Sequence, residues 1–188
     1  MRTLGYEEAI GRRLYTPAQI ARAIERLAGQ IARDYRRQPL VLLGVLKGAL
    51  CLCADLSRAL AAEADGPSEI MVDYICIERY GPSRVGGAPR LLMDHSVPID
   101  GTPVVLVEDI ADNGRSLEFL RGLLEERRPA SLRTCVLFDK RGRREVGVPL
   151  DYVGLTVPDS FVIGYGLDYK ELYRNLPYVA ALREGRTV

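Results

Sequence analysis

The chain of 188 residues carries 26 basic and 25 acidic side chains, and 47% of its residues are apolar. This length predicts one domain with a full hydrophobic core, and a net charge of +1 does not favour a globally basic nucleic-acid binder. The single histidine, His95, excludes a multi-histidine metal centre. Chemistry must therefore come mainly from carboxylates, lysine, arginine and backbone amides.

Cysteine usage and hydropathy bear on the compartment. The four cysteines form no CxxC pair and no zinc-type spacing, which is typical of buried thiols in a reducing compartment. Residues 1–10 lack the apolar core of a signal peptide. The most apolar stretch, residues 40–62, is interrupted by Lys47, Asp55 and Arg58. We expect a cytoplasmic protein without a membrane segment.

Helical signals occur in three places along the chain. The first begins at Thr16, an N-cap followed by Pro17 at the first helical position and by Gln19 three residues after the cap. Apolar residues then recur at helical spacing, and Pro39 ends this region. Further helices are predicted over residues 50–62 and 116–127.

Short apolar runs between the helices are typical of strands buried on both faces of a parallel sheet. Such strands are predicted over residues 40–46, 70–77, 104–107 and 132–138, with shorter ones over 152–155 and 161–163. Residues 79–90 and 108–115 are predicted to be loops. The alternation predicts an α/β domain whose mainly parallel, twisted sheet is flanked by helices. Ligands bind such sheets beyond the carboxyl ends of the strands.

The stretch after residues 104–107 carries the clearest chemical signal. Two adjacent carboxylates, Glu108 and Asp109, are followed by an Asn-Gly turn and by a helix that starts near Ser116. Backbone amides in such a turn bind phosphate, and the carboxylates suit ribose hydroxyls or Mg²⁺. An acidic strand end followed by an ordinary helix cap has the same pattern. Spacing alone therefore leaves both interpretations open.

Residues 104–116 resemble the phosphoribosyl-diphosphate (PRPP) binding motif of type I phosphoribosyltransferases, and the C-terminal part resembles the branch that uses 6-oxopurines. The other matching stretches are residues 43–49, 139–140, 143–144, 148–154, 158–169 and 173–178. The resemblance runs from about Leu40 to Tyr178 in the family's order. It implies one type I phosphoribosyltransferase domain over residues 1–188, with a small hood formed mainly by the C-terminal segment.

The resemblance implies a role for each residue around the sugar and phosphates of PRPP. Asp112 would exchange a proton with purine N7 while N9 attacks the anomeric carbon, a general acid/base role that suits a carboxylate. Glu108 and Asp109 would hold the ribose hydroxyls, directly or through Mg²⁺. The 5′-phosphate would contact Asn113, Gly114, Arg115 and Ser116. The pyrophosphate would contact Leu46, Lys47, Gly48 and Arg174, and the peptide between Leu46 and Lys47 is cis in the family.

The purine end of the site is implied in the same way. Lys140 would donate to the exocyclic O6, which selects 6-oxopurines because the 6-amino group of adenine offers no acceptor there. Phe161 would stack on the base, and the Val162 backbone would meet its edge. Asp168 would lie at the purine end and join a second Mg²⁺ site, so the implied metal residues are Glu108, Asp109 and Asp168. Arg144 would anchor the Lys140 region or the phosphates.

Two positions depart from the family pattern. Asn113 stands where the family usually has threonine or serine, and its amide can still donate to a phosphate. In the flexible loop the family commonly has a Ser-Tyr pair, whereas this chain has Arg79 before Tyr80. We expect residues 79–90 to form a lid, since three glycines allow it to move and closure would exclude water.

The resemblance implies Mg²⁺-dependent purine salvage. The 5-phosphoribosyl group of PRPP would pass to N9 of hypoxanthine or guanine, giving IMP or GMP and pyrophosphate, in a homodimer or homotetramer. The alternative is a catalytically weak regulator on the same fold that senses nucleotides or PRPP. Such a regulator could bind RNA through Arg33, Arg36 and Arg37, although a solvated helix end is favoured for that cluster. The absence of a GxGxxG motif disfavours a dinucleotide-binding module.

Overall fold

A six-stranded sheet forms the centre of the computed structural model, which describes residues 8–79 and 89–183. The strand order is β4-β3-β2-β5-β6-β7, and only β4, at one edge, runs antiparallel to its neighbour. The strands are β2 (Pro39–Leu46), β3 (Glu69–Arg79), β4 (Pro89–Met93), β5 (Pro103–Ala111), β6 (Ser131–Asp139) and β7 (Tyr152–Thr156). The predicted α/β fold with a mainly parallel sheet is confirmed.

Three helices cover the two faces of this sheet. They are α1 (Pro17–Asp34), α2 (Leu50–Ala61) and α3 (Arg115–Glu125). The predicted start of α1 is confirmed as a capping box: Gln19 N donates to Thr16 Oγ1 over 3.3 Å, and Thr16 N donates to Gln19 Oε1 over 2.9 Å. No helix within residues 8–79 and 89–183 is long and apolar enough to cross a membrane.

Alternation along β5 divides the core between the two faces. Val105 and Val107 pack with α1 and α2, whereas Val104 and Leu106 pack with α3. All four valine and leucine side chains are fully buried, so the register of this strand is strongly specified. The same alternation carries the two residues that follow, Glu108 and Asp109, towards opposite faces.

A second, three-stranded sheet stands beside the first in the order β1-β9-β8. Its strands are β1 (Ile10–Tyr15), β8 (Val162–Ile163) and β9 (Val179–Leu182). β9 pairs antiparallel with both neighbours and is the central strand. The hood expected from the C-terminal segment therefore also takes an N-terminal strand, which lacks the apolar pattern that would have predicted it.

Both predicted loops were wrong in part. Residues 108–111 are strand, not loop, because β5 continues to Ala111 and pairs there with β6, as in Ala111↔Asp139. Acidic residues are poor strand formers, but the ladder with β6 supplies their backbone hydrogen bonds. At the predicted lid, Arg79 belongs to β3 and pairs with Pro89 of β4. Tyr80 lies outside the described residues.

Candidate active site

The candidate site lies at the carboxyl edge of the central sheet, between β2 and β5. These are the neighbouring strands from which the chain winds in opposite directions, to β3 on one side and to β6 on the other. Such a switch point leaves a crevice, because the connections on its two sides diverge. A cavity of about 770 Å³ opens beside this point, beyond the carboxyl ends of β5 and β6. It is lined by Asp109, Ile110, Asp112, Asn113, Arg115, Lys140, Gly142, Arg143, Arg144, Glu145, Phe161, Val162, Leu167 and Asp168.

The two adjacent carboxylates at the end of β5 lie in different surroundings. Asp109 is only 8% exposed, and burial raises the pKa of its carboxyl group. Hydrogen bonds from the Ile110 amide (2.7 Å) and with Glu108 oppose that rise. Glu108 lines a separate cavity of about 170 Å³ beside the following turn. The pair can thus serve two adjacent groups of one ligand.

The turn after β5 has the geometry of an anion cradle. Gly114 has φ +91°, a left-handed conformation that places the following amides at the start of α3. The carbonyl of Asn113 accepts hydrogen bonds from the amides of Glu145 (3.0 Å) and Val146 (3.2 Å). Its side-chain oxygen accepts from the amide of Arg115 over 3.2 Å. Ser116 also lines the smaller cavity, so the predicted phosphate-binding residues come together.

Lys140 and Asp112 face each other inside the larger cavity. Lys140 is 5% exposed, and its Nζ lies 3.7 Å from Asp112 Oδ2. Asp112 Oδ1 is buried and has no hydrogen-bond partner among the described residues. A buried acceptor without a partner is costly, so this oxygen is set to meet a donor on a ligand.

Asp139 supports the loop beside Lys140, a role that sequence reasoning missed. This carboxylate is 5% exposed and accepts hydrogen bonds from Arg141 Nε (3.0 Å) and Arg144 Nη2 (2.6 Å). Arg144 therefore anchors the loop, as one of its two expected roles. The only sign of this role in the sequence is the pair of arginines two and five residues after the aspartate. The same spacing occurs in ordinary basic loops, so it does not identify the role.

The hood supplies residues that were expected to contact the purine. Phe161 is 48% exposed, and its ring meets Tyr169 edge-to-face with 5.4 Å between the ring centroids. One face of Phe161 is thus available to a planar ligand. Val162 is buried next to it at the start of β8. These residues and the turn that follows β5 line the same cavity.

The turn after β2 packs tightly against the acidic strand end. The peptide between Leu46 and Lys47 is cis. A Cβ atom on Gly48 would lie 1.8 Å from Asp109 Oδ2, and one on Gly166 would lie 2.0 Å from the Gly48 carbonyl oxygen. Only glycine fits at these two positions, which bring the hood and β2 together around Asp109.

Arg174 and Asp168 complete this side of the site. Arg174 Nη2 lies 2.8 Å from Asp168 Oδ1, and Arg174 Nη1 donates to the Gly166 carbonyl over 2.7 Å. Glu171, which sequence reasoning missed, lies 2.9 Å from Lys47 Nζ and 3.4 Å from Arg174. Nothing in the sequence distinguishes Glu171 from a surface residue.

Known proteins resemble this chain in both sequence and fold. The family model for the phosphoribosyl transferase domain matches residues 12–170. A hypoxanthine-guanine phosphoribosyltransferase of Crithidia fasciculata is 41% identical over 180 residues, 92% of this chain and 85% of that protein. A Bacillus anthracis structure under the same name has a TM-score of 0.84 and 36% identity, covering 93% of this chain and 98% of that one. A hypoxanthine phosphoribosyltransferase structure from Trypanosoma cruzi has a TM-score of 0.86 and 40% identity, covering 97% of this chain and 95% of that one.

Fold and site together define a phosphoribosyltransferase. Within that class, the chain belongs to the hypoxanthine-guanine phosphoribosyltransferase family. The resemblance seen in the sequence is thereby confirmed.

Proposed function

We propose that this enzyme transfers the 5-phosphoribosyl group of PRPP to N9 of hypoxanthine or guanine, releasing pyrophosphate. The observation that carries this function is the larger cavity. In it a buried lysine, a carboxylate with a free oxygen, an open aromatic face and an amide cradle converge at the switch point of the sheet. A 6-oxopurine, a ribose and a phosphate need partners of these kinds.

Asp112 and Lys140 are the candidates for the chemistry at the base. Lys140 can donate to O6 of a purine, and the unpartnered Oδ1 of Asp112 can take the proton of N7. As the bond between the anomeric carbon and pyrophosphate weakens, the carboxylate also stabilises the positive charge that develops on this carbon. Lys140 Nζ and Asp112 Oδ2 lie 3.7 Å apart, so one base can contact both side chains.

The turn from Asn113 to Ser116 is proposed to bind the 5′-phosphate. The positive end of α3 and the amides of its first turn favour a dianion there. The side-chain oxygen of Asn113 accepts a hydrogen bond from the Arg115 amide. The Asn113 side chain therefore has to move away when a phosphate oxygen accepts from that amide instead. Glu108 and Asp109 would then meet the ribose hydroxyls between the phosphate and the base.

Mg²⁺ is proposed as the metal cofactor. Among the described residues, no three histidine, cysteine, aspartate or glutamate side chains are grouped to hold a metal. Mg²⁺ usually binds one or two carboxylates together with substrate phosphates and water, so this donor set fits a metal that arrives with PRPP. Asp109 and Asp168 would hold the metal ion, with Glu108 nearby. Burial of Asp109 disfavours the charged form of its carboxyl group. When bound, the metal neutralises charge on the pyrophosphate leaving group.

Self-association and a reducing compartment are also proposed. Large apolar side chains are exposed on β3 and β4: Val72 (40%), Leu92 (51%) and Met93 (42%). Apolar side chains exposed on the edge strand and its neighbour support a contact between copies of the chain, as a homodimer or homotetramer. All four cysteines are free thiols, which supports a location in a reducing compartment such as the cytoplasm. Light scattering on the purified protein measures the assembly.

The RNA-binding alternative gains no support from the basic cluster after α1. Arg36 and Arg37 lie 3.0 Å and 3.7 Å from Asp65, so they form an ordinary surface ion-pair cluster.

A four-base assay tests the function. Nucleotide formation is measured from PRPP and Mg²⁺ with hypoxanthine, guanine, xanthine and adenine in parallel, for the wild type and for Lys140→Met. We expect product with hypoxanthine or guanine. Lys140→Met should lower kcat/KM for these bases about 10- to 100-fold relative to adenine, the range for losing one charged hydrogen bond. No product from any base would contradict the proposed reaction.

A further inference from the structure

One carboxylate at the rim of the site, Glu171, has no part in the function described above. Glu171 Oε2 lies 2.9 Å from Lys47 Nζ, and both of its carboxylate oxygens lie 3.4 Å from Arg174 Nη2. Lys47 follows β2 and Arg174 belongs to the hood, so one carboxylate joins the two sides of the cleft. The pKa of Glu171 is lowered, first by its hydrogen bond with Lys47.

One of the two cations, Arg174, has a buried donor that Glu171 does not contact. Arg174 Nε is buried and has no hydrogen-bond partner among the described residues. Arg174 also contacts Asp168, which lines the larger cavity, and Lys47 precedes Gly48, which packs on Asp109. Lys47 and Arg174 therefore lie beside the carboxylates at which the ribose and its leaving group are proposed to bind.

The backbone around Glu171 is held in an uncommon conformation. Lys170, Glu171 and Tyr173 have φ values of +51°, +66° and +75°, although none is glycine. Non-glycine residues seldom adopt the left-handed region, and such residues cluster where a segment is functionally constrained. The amide of Glu171 also donates to Asp168 Oδ2 over 2.8 Å, which directs this segment towards the cleft.

We propose that Glu171 occupies the place of pyrophosphate in the free enzyme and is displaced when the diphosphate group of PRPP binds. This inference rests on the proposed function and on the sequence-based expectation that Lys47 and Arg174 contact pyrophosphate. Glu171 is a positioning residue: it keeps the two cations apart from solvent anions and competes with the diphosphate for them. The competition also favours the release of the product pyrophosphate.

The strength of the contact suits this role. The Lys47 and Glu171 side chains are both 64% exposed. Exposed ion pairs are weak, whereas a diphosphate brings several negative charges to the same two cations. Glu171 thus gives way to the diphosphate while still lowering its affinity by a small factor.

Pyrophosphate binding to the full chain tests the proposal. The dissociation constant of magnesium pyrophosphate is measured by calorimetry for the wild type, Glu171→Gln, Glu171→Asp and Glu125→Gln. Glu171→Gln should bind pyrophosphate about two- to fivefold more tightly, the range for an exposed ion pair. The KM for PRPP should fall by a similar factor without a rise in kcat. Glu125→Gln is the matched control, since Glu125 pairs with Arg121 on α3, and it should match the wild type.

Glu171→Asp separates competition from a structural role. It retains the charge, so it should stay within twofold of the wild-type dissociation constant. Unchanged or weaker pyrophosphate binding by Glu171→Gln would overturn the proposal, whether or not the variant is less stable. Tighter binding cannot come from a merely structural role, because loss of structure weakens a site.

Lys47→Met distinguishes failure of this inference from failure of the proposed site. Lys47→Met should weaken pyrophosphate binding, and adding Glu171→Gln to it should give no further tightening. Tightening that persists in the double variant would mean a general electrostatic effect and would contradict the displacement. If Lys47→Met leaves the dissociation constant unchanged, the pyrophosphate site itself is wrong, and the inference fails with it.

Discussion

At the scale of single residues, burial decides which of the many charged side chains can act on a substrate. Lys140 and Asp109 are less than a tenth exposed, whereas most arginines of the surface are paired in water. A charge in a cleft of low dielectric interacts strongly with a ligand, while an exposed charge is screened. Asp112 combines access to the cavity with one buried oxygen that lacks a partner. It is therefore the candidate for proton transfer.

Asp112→Asn tests this role. The amide cannot accept the N7 proton as a base, so we expect kcat to fall about 10²- to 10⁴-fold. The dissociation constant for PRPP should change by less than about threefold, because the side chain keeps its size and the phosphate cradle is intact. Steady-state rates and calorimetry measure the two quantities. Asp100→Asn, which removes a carboxylate from an exposed pair with Arg128, is the control. A wild-type rate in Asp112→Asn would remove this residue from the chemistry.

At the scale of elements, the phosphate-binding turn and the loop after β6 form one unit. Asn113 receives two amide hydrogen bonds from that loop, and Arg115 Nε lies 2.9 Å from Glu145 Oε2. The close approach depends on Gly114, where a Cβ would lie 2.9 Å from the Val146 carbonyl oxygen. A change in the turn is thus transmitted to the loop that carries Lys140.

Gly114→Ala should strain this unit. The residue combines φ +91° with the crowded Cβ position, so we expect a loss of about 1–3 kcal/mol in the free energy of unfolding and a severalfold higher KM for PRPP. Gly122→Ala is the matched control: it lies inside α3 with nothing within 4 Å of the added Cβ. It should gain about 0.5–1 kcal/mol and leave the KM unchanged. Urea unfolding and PRPP kinetics measure both variants, and an unaffected Gly114→Ala would contradict this packing.

At the scale of the whole molecule, the segment after β4 is joined to the far end of α3 by a bidentate ion pair. Arg127 Nη1 and Nη2 each lie 2.6 Å from an oxygen of Asp94. His95 packs beside this pair with its side chain 8% exposed, and its Nδ1 lies 2.9 Å from the Val97 carbonyl oxygen. The only histidine of the chain is therefore part of the scaffold, outside both cavities.

Acid should weaken this connection. The hydrogen bond from Arg127 is the main cause that lowers the pKa of Asp94 in the folded state. Its stabilisation is therefore present above the ordinary aspartate pKa of about 3.9 and is lost as the pH falls through the lower folded value. Asp94 is 43% exposed, so screening limits its contribution to about 1 kcal/mol.

Asp94→Asn should accordingly lower the unfolding free energy by about 1 kcal/mol at pH 7 and by less at about pH 3. Urea unfolding at the two pH values gives the difference, and Asp100→Asn should show a smaller loss at both. An equal loss for Asp94→Asn at both pH values would mean that packing, rather than charge, accounts for the effect.

How far the sequence predicts the fold depends on the element. The helix at Thr16 and the apolar strands were predictable because capping and burial are local signals. β1 lacks an apolar pattern and β9 is a run of only four apolar residues, and both exist because they pair with each other, as in Ile10↔Leu182, across almost the whole chain. The acidic end of β5 was predicted as a loop for the same reason, since its pairing with β6 is invisible locally.

The sequence by itself determined the α/β class, the strand that presents Glu108 and Asp109, and the family resemblance that named the candidate residues. Only the tertiary structure decided which charges are buried, that Asp139 supports the loop of Lys140, and that Glu171 lies between Lys47 and Arg174. Periodicity and capping depend on residues a few positions apart, so the sequence contains them directly. Burial depends on the whole fold, and the contact of Lys47 with Glu171 joins residues 124 positions apart, which only the folded chain brings together.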